Sequence, residues 1–287
     1  MKKIFKWIGI IVLVLIAALG ATIGVLYSRQ DEIVQELLTK ANADFKGEVK
    51  LTGSHISLFQ NFPYISIDLE NLSIKESKSD TATVILDIED VYVGFDLLTI
   101  LNGQMEIKKI KLVNGHIDAV QYGDGTFNLA NAFEPVVPVE SVEEEFHLDL
   151  KSVILSNIHL TKLNVESKMK VDVLVDEAKT RFKTNADKVV IGLDADFNLS
   201  LLMGGDSTAI KRKNFEFDTE LNYLKAQDLL VIEPTTAKLQ GAEFNMEGSV
   251  NFKDDANLNL KFDGNKSNFD LFMFLPEFPY VNCNRLL

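Results

Sequence analysis

The chain has 287 residues, of which 46% are hydrophobic and 25% charged, and its formal net charge is −13. This length allows one or two domains of roughly 150 residues, and the apolar content excludes a mostly disordered chain. Nucleic-acid binding is not expected, because contact with phosphates needs a concentrated Lys/Arg face that this acidic chain lacks. The single cysteine, Cys283, excludes an internal disulfide and a multi-cysteine metal site.

Residues 7–27 contain no charged side chain and predict a membrane-spanning helix within an anchor of residues 1–28. At about 1.5 Å per residue the stretch covers roughly 30 Å, which is the thickness of the hydrocarbon core of a bilayer. Lysines precede it, which predicts a cytoplasmic N-terminus and an exported remainder. A cleaved signal peptide is the alternative, since Ala18-Leu19-Gly20 has the form of a cleavage site, but the apolar stretch continues beyond it and favours an anchor.

The segment after the anchor, residues 29–46, is predicted to be a juxtamembrane helix. Ser28-Arg29-Gln30-Asp31 has the form of a capping box, in which side chains satisfy the free backbone N–H groups at a helix start. Apolar residues at helical spacing then extend the helix from about Asp31 to Asn42.

From Gly47 onward, apolar and polar residues alternate, which is typical of strands with one apolar face. The longest alternating runs are 169–175 and 189–199. Short turn sequences, such as Val113-Asn114-Gly115 and Gly123-Asp124-Gly125, separate the runs. Short helices are expected only near residues 97–102, 128–133 and 268–275. The pattern predicts a mainly β fold, in which an N-terminal transmembrane helix precedes an elongated antiparallel sheet.

Several runs change parity without a turn sequence. Ile65, Ile67 and Leu69 are followed by Leu72 and Ile74, and the same slip separates the Val153/Leu155 and Ile158/Leu160 pairs. Such a slip predicts a bulge or a sharp bend within a strand, which curls a sheet.

An acidic segment with prolines, residues 136–145, is the best linker candidate, because proline blocks strand pairing. It divides the chain into β regions at 47–135 and 146–275. The final residues, 276–287, have the pattern of neither a strand nor a cap and are predicted to be an irregular tail. One interpretation is that the chain is a truncated member of a longer group of proteins.

The sequence contains no recognisable catalytic or cofactor motif. His55, His116, His147 and His159 fall on separate predicted strands, where they are expected to be exposed or half-buried. Asp194-Ala195-Asp196-Phe197-Asn198 resembles half of a calcium loop, but it lies in an alternating run, and its carboxylates are expected to mark the solvent face. We therefore predict a protein that is not an enzyme and that uses no metal or cofactor.

The apolar faces of the strands need a cover, and helices that could supply it are scarce. The sheet either closes on itself as a sandwich or barrel, or curls into a groove that holds something apolar. The closed core is the commoner solution, whereas a nearby bilayer favours the groove because lipid is the most available apolar partner. The candidate groove residues, taken from the alternating runs, are Val171, Val173, Ile191, Leu193, Phe197, Phe244, Met246, Leu258 and Leu260.

Several segments together resemble the N-terminal region of the AsmA family of envelope proteins. Besides the N-terminal apolar helix, they are Gly47-Glu48-Val49-Lys50-Leu51, Phe62-Pro63-Tyr64-Ile65-Ser66-Ile67, the run 86–98, the run 107–117 and Tyr122-Gly123-Asp124-Gly125-Thr126-Phe127-Asn128-Leu129. Their order and spacing carry the resemblance over most of residues 1–135, and residues 241–276 resemble a later part of the pattern.

The resemblance implies an inner-membrane protein of a Gram-negative bacterium, anchored once through residues 7–27 with most of the chain in the periplasm. It also implies a repeating β-groove that binds phospholipid acyl chains and contributes to phospholipid transport or outer-membrane homeostasis. Other envelope proteins are further expected partners. The alternative hypothesis is a non-enzymatic assembly factor that affects outer-membrane protein maturation through protein contacts, for example at exposed strand edges.

Overall fold

The structure is a computed structural model that describes residues 24, 32, 34–35, 38–57, 60–61, 64–96, 106–136, 150–204, 207–252 and 257–264. Several predicted features lie wholly or almost wholly outside these residues: the span at 7–27, the linker at 136–145, the tail, His147 and the helices near 97–102 and 268–275. Within the described part of the chain, no helix is both long and apolar enough to cross a membrane.

The fold is mainly β, as predicted, with a largely antiparallel sheet of twelve strands and two short helices. The strands are β1 (Glu48–Lys50), β2 (Gly53–Ser57), β3 (Ile65–Lys75), β4 (Val84–Phe95), β5 (Ile107–Gln121), β6 (Ser152–Asn164), β7 (Met169–Thr184), β8 (Lys188–Met203), β9 (Ser207–Leu224), β10 (Leu229–Leu239), β11 (Ala242–Asn251) and β12 (Asn257–Asp263). They follow one another in sequence order from β3 to β12, while β1 and β2 both pair with β3. The predicted curl of the sheet into a groove stays a prediction.

The chain divides into two compact units. Unit 1 comprises Met1–Ala119 and Asp124–Ile158, and unit 2 comprises Val120–Gly123 and His159–Leu287. The predicted division at the acidic linker, between regions 47–135 and 146–275, stays a prediction.

In unit 1, an N-terminal helix packs on the apolar side of the strands. Its described residues, 32, 34–35 and 38–44, lie within the predicted juxtamembrane segment. Val34 is buried in a cluster with Ile67 and Phe95, and Leu38 packs against that cluster. The helix therefore covers apolar side chains that the alternating pattern places on one face of the strands.

The end of this helix is attached to β1 by a two-way hydrogen bond. The Asn42 side-chain amide donates to the carbonyl oxygen of Val49 at 2.8 Å, and its Oδ1 accepts from the Val49 N–H at 2.7 Å. One side chain thus satisfies both backbone groups of a residue at the edge of the sheet.

The predicted bends in the strands of unit 1 are confirmed. Asn71, between Leu69 and Leu72, has a φ of 50°, and Asn157, between Leu155 and Ile158, has a φ of 54°. Asparagine tolerates this left-handed conformation better than other residues that have a Cβ atom. A left-handed residue therefore stands at each of the two parity changes that the sequence shows.

The predicted turn at Val113-Asn114-Gly115 is wrong, because these residues lie in the middle of β5. Asn114 has a φ of 54° and Gly115 a φ of 153°. A Cβ atom on Gly115 would lie 2.2 Å from the carbonyl oxygen of Asp87, so only glycine fits this close approach of β5 to β4. An Asn-Gly pair supplies positive φ to a bend inside a strand as well as to a turn, and the local sequence does not separate the two.

The short helix Asn128–Ala132 forms where the sequence predicts one. Asparagine is a common helix cap, but here Asn128 is the first residue of the helix and Phe127 occupies the cap position. Phe127 precedes the helix without a side-chain cap, and the Asn128 side chain is buried. Its amide donates to the carbonyl oxygen of Asp118 at 2.7 Å, so this residue attaches the helix to β5.

Candidate functional site

The registers of unit 2 place the nine predicted groove positions on one face of the sheet. Partners in adjacent antiparallel strands share a face, and successive residues alternate between faces. Val173 is opposite Leu199, and Phe197 is opposite both Val175 and Phe215. From there the same face continues through β10 to Phe244 and Met246 in β11 and to the positions of Leu258 and Leu260 in β12. We call this surface the apolar face.

A bulge keeps the apolar face continuous along β7. The register shifts between Val175 and Glu177, so that Asp176 is an extra residue. Without it, Ala178, Thr180 and Phe182 would fall on the other side of the sheet from Val171 and Val173.

One end of the apolar face is a packed core. Ile210, Phe215, Leu239 and Phe244 are buried there, and Phe244 is only 1% exposed. Partly buried side chains pack against this cluster: Phe197, Leu199, Leu201, Ala242 and Phe262. Phe197 and Phe244 therefore pack against other side chains of the protein and do not form an open surface.

Aromatic contacts extend this packed end. The Phe197 ring stacks on Phe215 with centroids 5.4 Å apart and meets Phe217 edge-on at 5.6 Å. Such pairs add about 0.5–1.5 kcal/mol beyond their buried area. These ring contacts add to the packing of this end of the apolar face.

The other end of the apolar face is more accessible. Ile191 and Leu193 are only partly buried, Leu260 is 40% exposed, and Phe252 is 46% exposed where its ring meets Tyr223 edge-on. Here β11 and β12 approach closely, since a Cβ atom on Gly248 would lie 2.3 Å from the carbonyl oxygen of Asn259. We call this part of the apolar face the open end.

The opposite face of unit 2 is polar. Lys238 donates to Glu216 at 2.9 Å, and Lys261 donates to Glu247 at 2.8 Å. Asp196, which the sequence places on the solvent face, accepts from Asn214 at 2.8 Å, so the half calcium loop is part of a strand, as expected. Exposed ion pairs of this kind contribute little to stability, and their role is to keep this face hydrated.

A cavity of about 460 Å³ lies on this polar face, between the strands β7 to β10. Arg181 and Lys183 line one part of it, and Asp218, Glu220 and Glu233 line another. Two of these carboxylates have nearby partners: Glu233 accepts from Asn222 at 2.7 Å, and Asp218 lies 4.0 Å from the Arg181 guanidinium. In the described part of the chain, no group of three His, Cys, Asp or Glu residues is arranged to hold a metal ion.

Unit 1 contains a buried polar cluster that the sequence does not predict. Asp68 alternates with apolar neighbours in β3 and is expected to face solvent, but the residue is only 1% exposed. His55 of β2 and Tyr92 of β4 are its two cross-strand partners. Burial, followed by the charge of Asp90, raises the pKa of Asp68 from its ordinary 3.8 to about 6, against the opposing effect of His55.

The other side chains of this cluster come from β2, β3 and β4. The His55 ring lies between two carboxylates, with Nδ1 2.8 Å from Oε1 of Glu70 and Nε2 3.4 Å from Oδ2 of Asp68. Burial and the charges of Asp68 and Asp90 raise the pKa of Tyr92 to about 12. Three of the four histidines, His55, His116 and His159, lie on strands and are partly exposed, as the sequence predicts.

The amino-acid sequence of the chain matches the model of a known family. The model of the AsmA family covers residues 1–271 of the chain. The chain belongs to the AsmA family. This confirms the resemblance that the sequence motifs carry and extends it well beyond residue 135.

Membership of the AsmA family makes this an envelope protein related to outer-membrane homeostasis. The family has no known catalytic activity, in keeping with a sequence that lacks catalytic motifs. Among curated proteins, no match to the chain was found.

Proposed function

We propose that this AsmA-family chain is a periplasmic protein anchored in the inner membrane whose apolar face binds phospholipid acyl chains. Through that binding it contributes to phospholipid transport or to outer-membrane homeostasis. The supporting observation is the open end of the apolar face, where Ile191, Leu193 and Leu260 remain accessible while the other side of the same strands is polar.

The energetics of burial favour an acyl chain at this surface. Each methylene removed from water contributes about 0.8 kcal/mol, so a few contacts along Ile191, Leu193 and Leu260 are enough to hold a lipid tail without a specific polar contact. An exposed apolar patch beside a bilayer is otherwise an aggregation hazard. The packed end, in contrast, is filled by the side chains around Phe244 and is not part of the proposed binding surface.

Site-specific photocrosslinking tests this proposal. A photoreactive phenylalanine analogue is placed at Ile191 or, as the matched control, at Val190, the adjacent and equally half-buried residue on the polar side of β8. The full-length chain is irradiated in cells, and the products are analysed by mass spectrometry. We expect a phospholipid adduct at position 191 and none at position 190.

Other results would contradict the proposal. Equal lipid yields at both positions would mean that the apolar face does not select acyl chains. Crosslinks from position 191 that contain only envelope proteins would instead support the assembly-factor hypothesis. Lipid is favoured over a protein strand as the partner, because the described edge strand β12 carries Lys261 and Asp263. Charges at a sheet edge discourage pairing with another strand.

A further inference from the structure

The buried cluster around Asp68 holds β2 against the rest of unit 1. β2 has only five residues, and among the described strands it pairs with β3 alone. So short an edge strand gains little from its ladder of hydrogen bonds. Side-chain contacts on the polar side of β3 therefore matter for its attachment.

His55 makes these contacts for β2. Both ring nitrogens face carboxylate oxygens, at 2.8 Å for Glu70 and 3.4 Å for Asp68. Through its two ring nitrogens, His55 thus links β2 to two side chains on the polar side of β3.

The cluster is crowded with negative charge on the other side of Asp68. Asp90 of β4 is directly opposite Glu70, which is an unfavourable cross-strand pair of like charges. On β5, the Lys111 ammonium group lies 5.6 Å from the centre of the Tyr92 ring and donates to the Gln60 side chain at 3.2 Å. Lys109, also on β5, is opposite Gly94 on the same side of the sheet. The lysines of β5 thus face Tyr92 and Gly94, whereas the His55 ring of β2 contacts Asp68.

Beyond β2, Asn61 binds the backbone of Tyr92, the cross-strand partner of Asp68. Asn61 is fully buried and donates to the carbonyl oxygen of Tyr92 at 3.2 Å. Three buried oxygens, Asn61 Oδ1, Ser66 Oγ and Asp68 Oδ1, have no hydrogen-bond partner among the described residues. An ionised carboxylate is costly in such a place, whereas a protonated carboxyl group is tolerated.

We propose that β2 is a proton-dependent clasp, which the protonated Asp68 carboxyl group keeps closed over β3 and which opens when that proton is lost at higher pH. Burial and the neighbouring charges of Asp90 and Glu70 favour the neutral form of this carboxyl group while it is covered. An open clasp leaves the backbone groups of Ser66–Glu70 without a strand partner on that side, and so presents an exposed sheet edge.

The expected size of the effect follows from linkage. The Asp68 carboxyl group has a pKa of about 6 when it is buried and 3.8 when it is exposed. It therefore favours the closed state most strongly below pH 4, and this preference is lost as the pH rises through 6. Between pH 5 and pH 7.5 the population of the open state is expected to rise about tenfold.

Hydrogen exchange of the full-length chain in mild detergent tests the clasp. After correction for intrinsic exchange, protection of the β2 amides is expected to fall about tenfold from pH 5 to pH 7.5. Asp68→Asn cannot ionise, so its β2 protection should be the same at both pH values. His55→Gln should lower protection at pH 5 even if Asp68→Asn does not fold, because it removes the contacts of the ring with Glu70 and Asp68.

His116→Gln is the matched control, because His116 is a partly exposed strand histidine of unit 1 whose Nε2 lies 3.8 Å from Asp118. It should leave the pH dependence of β2 unchanged. The proposal is overturned if wild-type β2 is equally protected at pH 5 and pH 7.5. It is also overturned if Asp68→Asn retains the wild-type pH dependence, if His55→Gln leaves the β2 protection at pH 5 unchanged, or if His116→Gln removes the pH dependence.

Discussion

Unit 1 and unit 2 cover the apolar sides of their strands in different ways. In unit 1 the N-terminal helix supplies the cover, with Val34 buried against Ile67 and Phe95. In unit 2 the strands pack against one another at the Phe244 cluster, and the open end around Leu260 is left partly exposed. A strand pattern that looks the same in sequence thus serves as core in one place and as available surface in another.

The difference also affects the polar sides. In unit 1, Asp68 is buried beside His55 of β2, and burial raises the pKa of its carboxyl group. In unit 2 the polar side carries exposed pairs such as Lys261 with Glu247. The units therefore respond differently to substitutions, and the following predictions test that contrast from the largest expected effect to the smallest.

The largest effect is expected within the apolar face of unit 2. Phe244→Ala should lower the free energy of unfolding by about 3–5 kcal/mol, because it leaves a cavity in the packed end. Leu260→Ala, on the same face but 40% exposed, should cost less than about 1 kcal/mol. Denaturant midpoints of the full-length variants measure both, and hydrogen exchange of β8 to β11 locates the change. Equal losses would show that the two ends do not differ.

A smaller effect is expected from the helix that covers unit 1. Val34→Ala removes two buried methyl groups and should cost about 2 kcal/mol. Gln35→Ala, at the adjacent exposed position, is the control and should be neutral within about 0.5 kcal/mol. Hydrogen exchange of β3 and β4 is the measurement. Unchanged protection in Val34→Ala would mean that the helix does not stabilise the face it covers.

The smallest effect is expected at the strand bends of unit 1, where the regular alternation of side chains between the two faces is interrupted. Asn71→Ala should cost about 1–2 kcal/mol because alanine is strained at a φ of 50°. Asn71→Gly should cost less, although it also loses the hydrogen bond from Asn71 Nδ2 to Thr52 Oγ1. Thermal unfolding of the two variants compares them. A glycine variant less stable than the alanine variant would assign the role of Asn71 to its side chain instead of its backbone.

Much of the fold follows from the residues themselves. The alternation that predicts strands holds from β3 to β12, and the parity changes near Leu69 and Leu155 identify real bends. Val113-Asn114-Gly115 misleads because Asn and Gly adopt positive φ in turns and in strand bends alike. Asn128 misleads in a similar way, since a residue suited to a helix cap instead binds the backbone of β5.

The candidate site could be predicted only in part. The period of two places Ile191, Leu193, Phe197, Phe244 and Met246 on one face, and the registers agree. Which of them lie in a filled core depends on contacts between strands far apart in sequence. Phe197 and Phe244 are separated by two intervening strands, and no local pattern shows that they join one cluster.

The sequence by itself determined the family, the mainly β class and the apolar side of each long strand, because these depend on residue types and on the fixed twofold period of an extended backbone. Only the tertiary structure decided which parts of that apolar side are covered and that Asp68, in a position that alternation assigns to solvent, is buried. Burial depends on which distant segment crosses a face. For Asp68 one such segment is the edge strand with His55, whose contact no local period encodes.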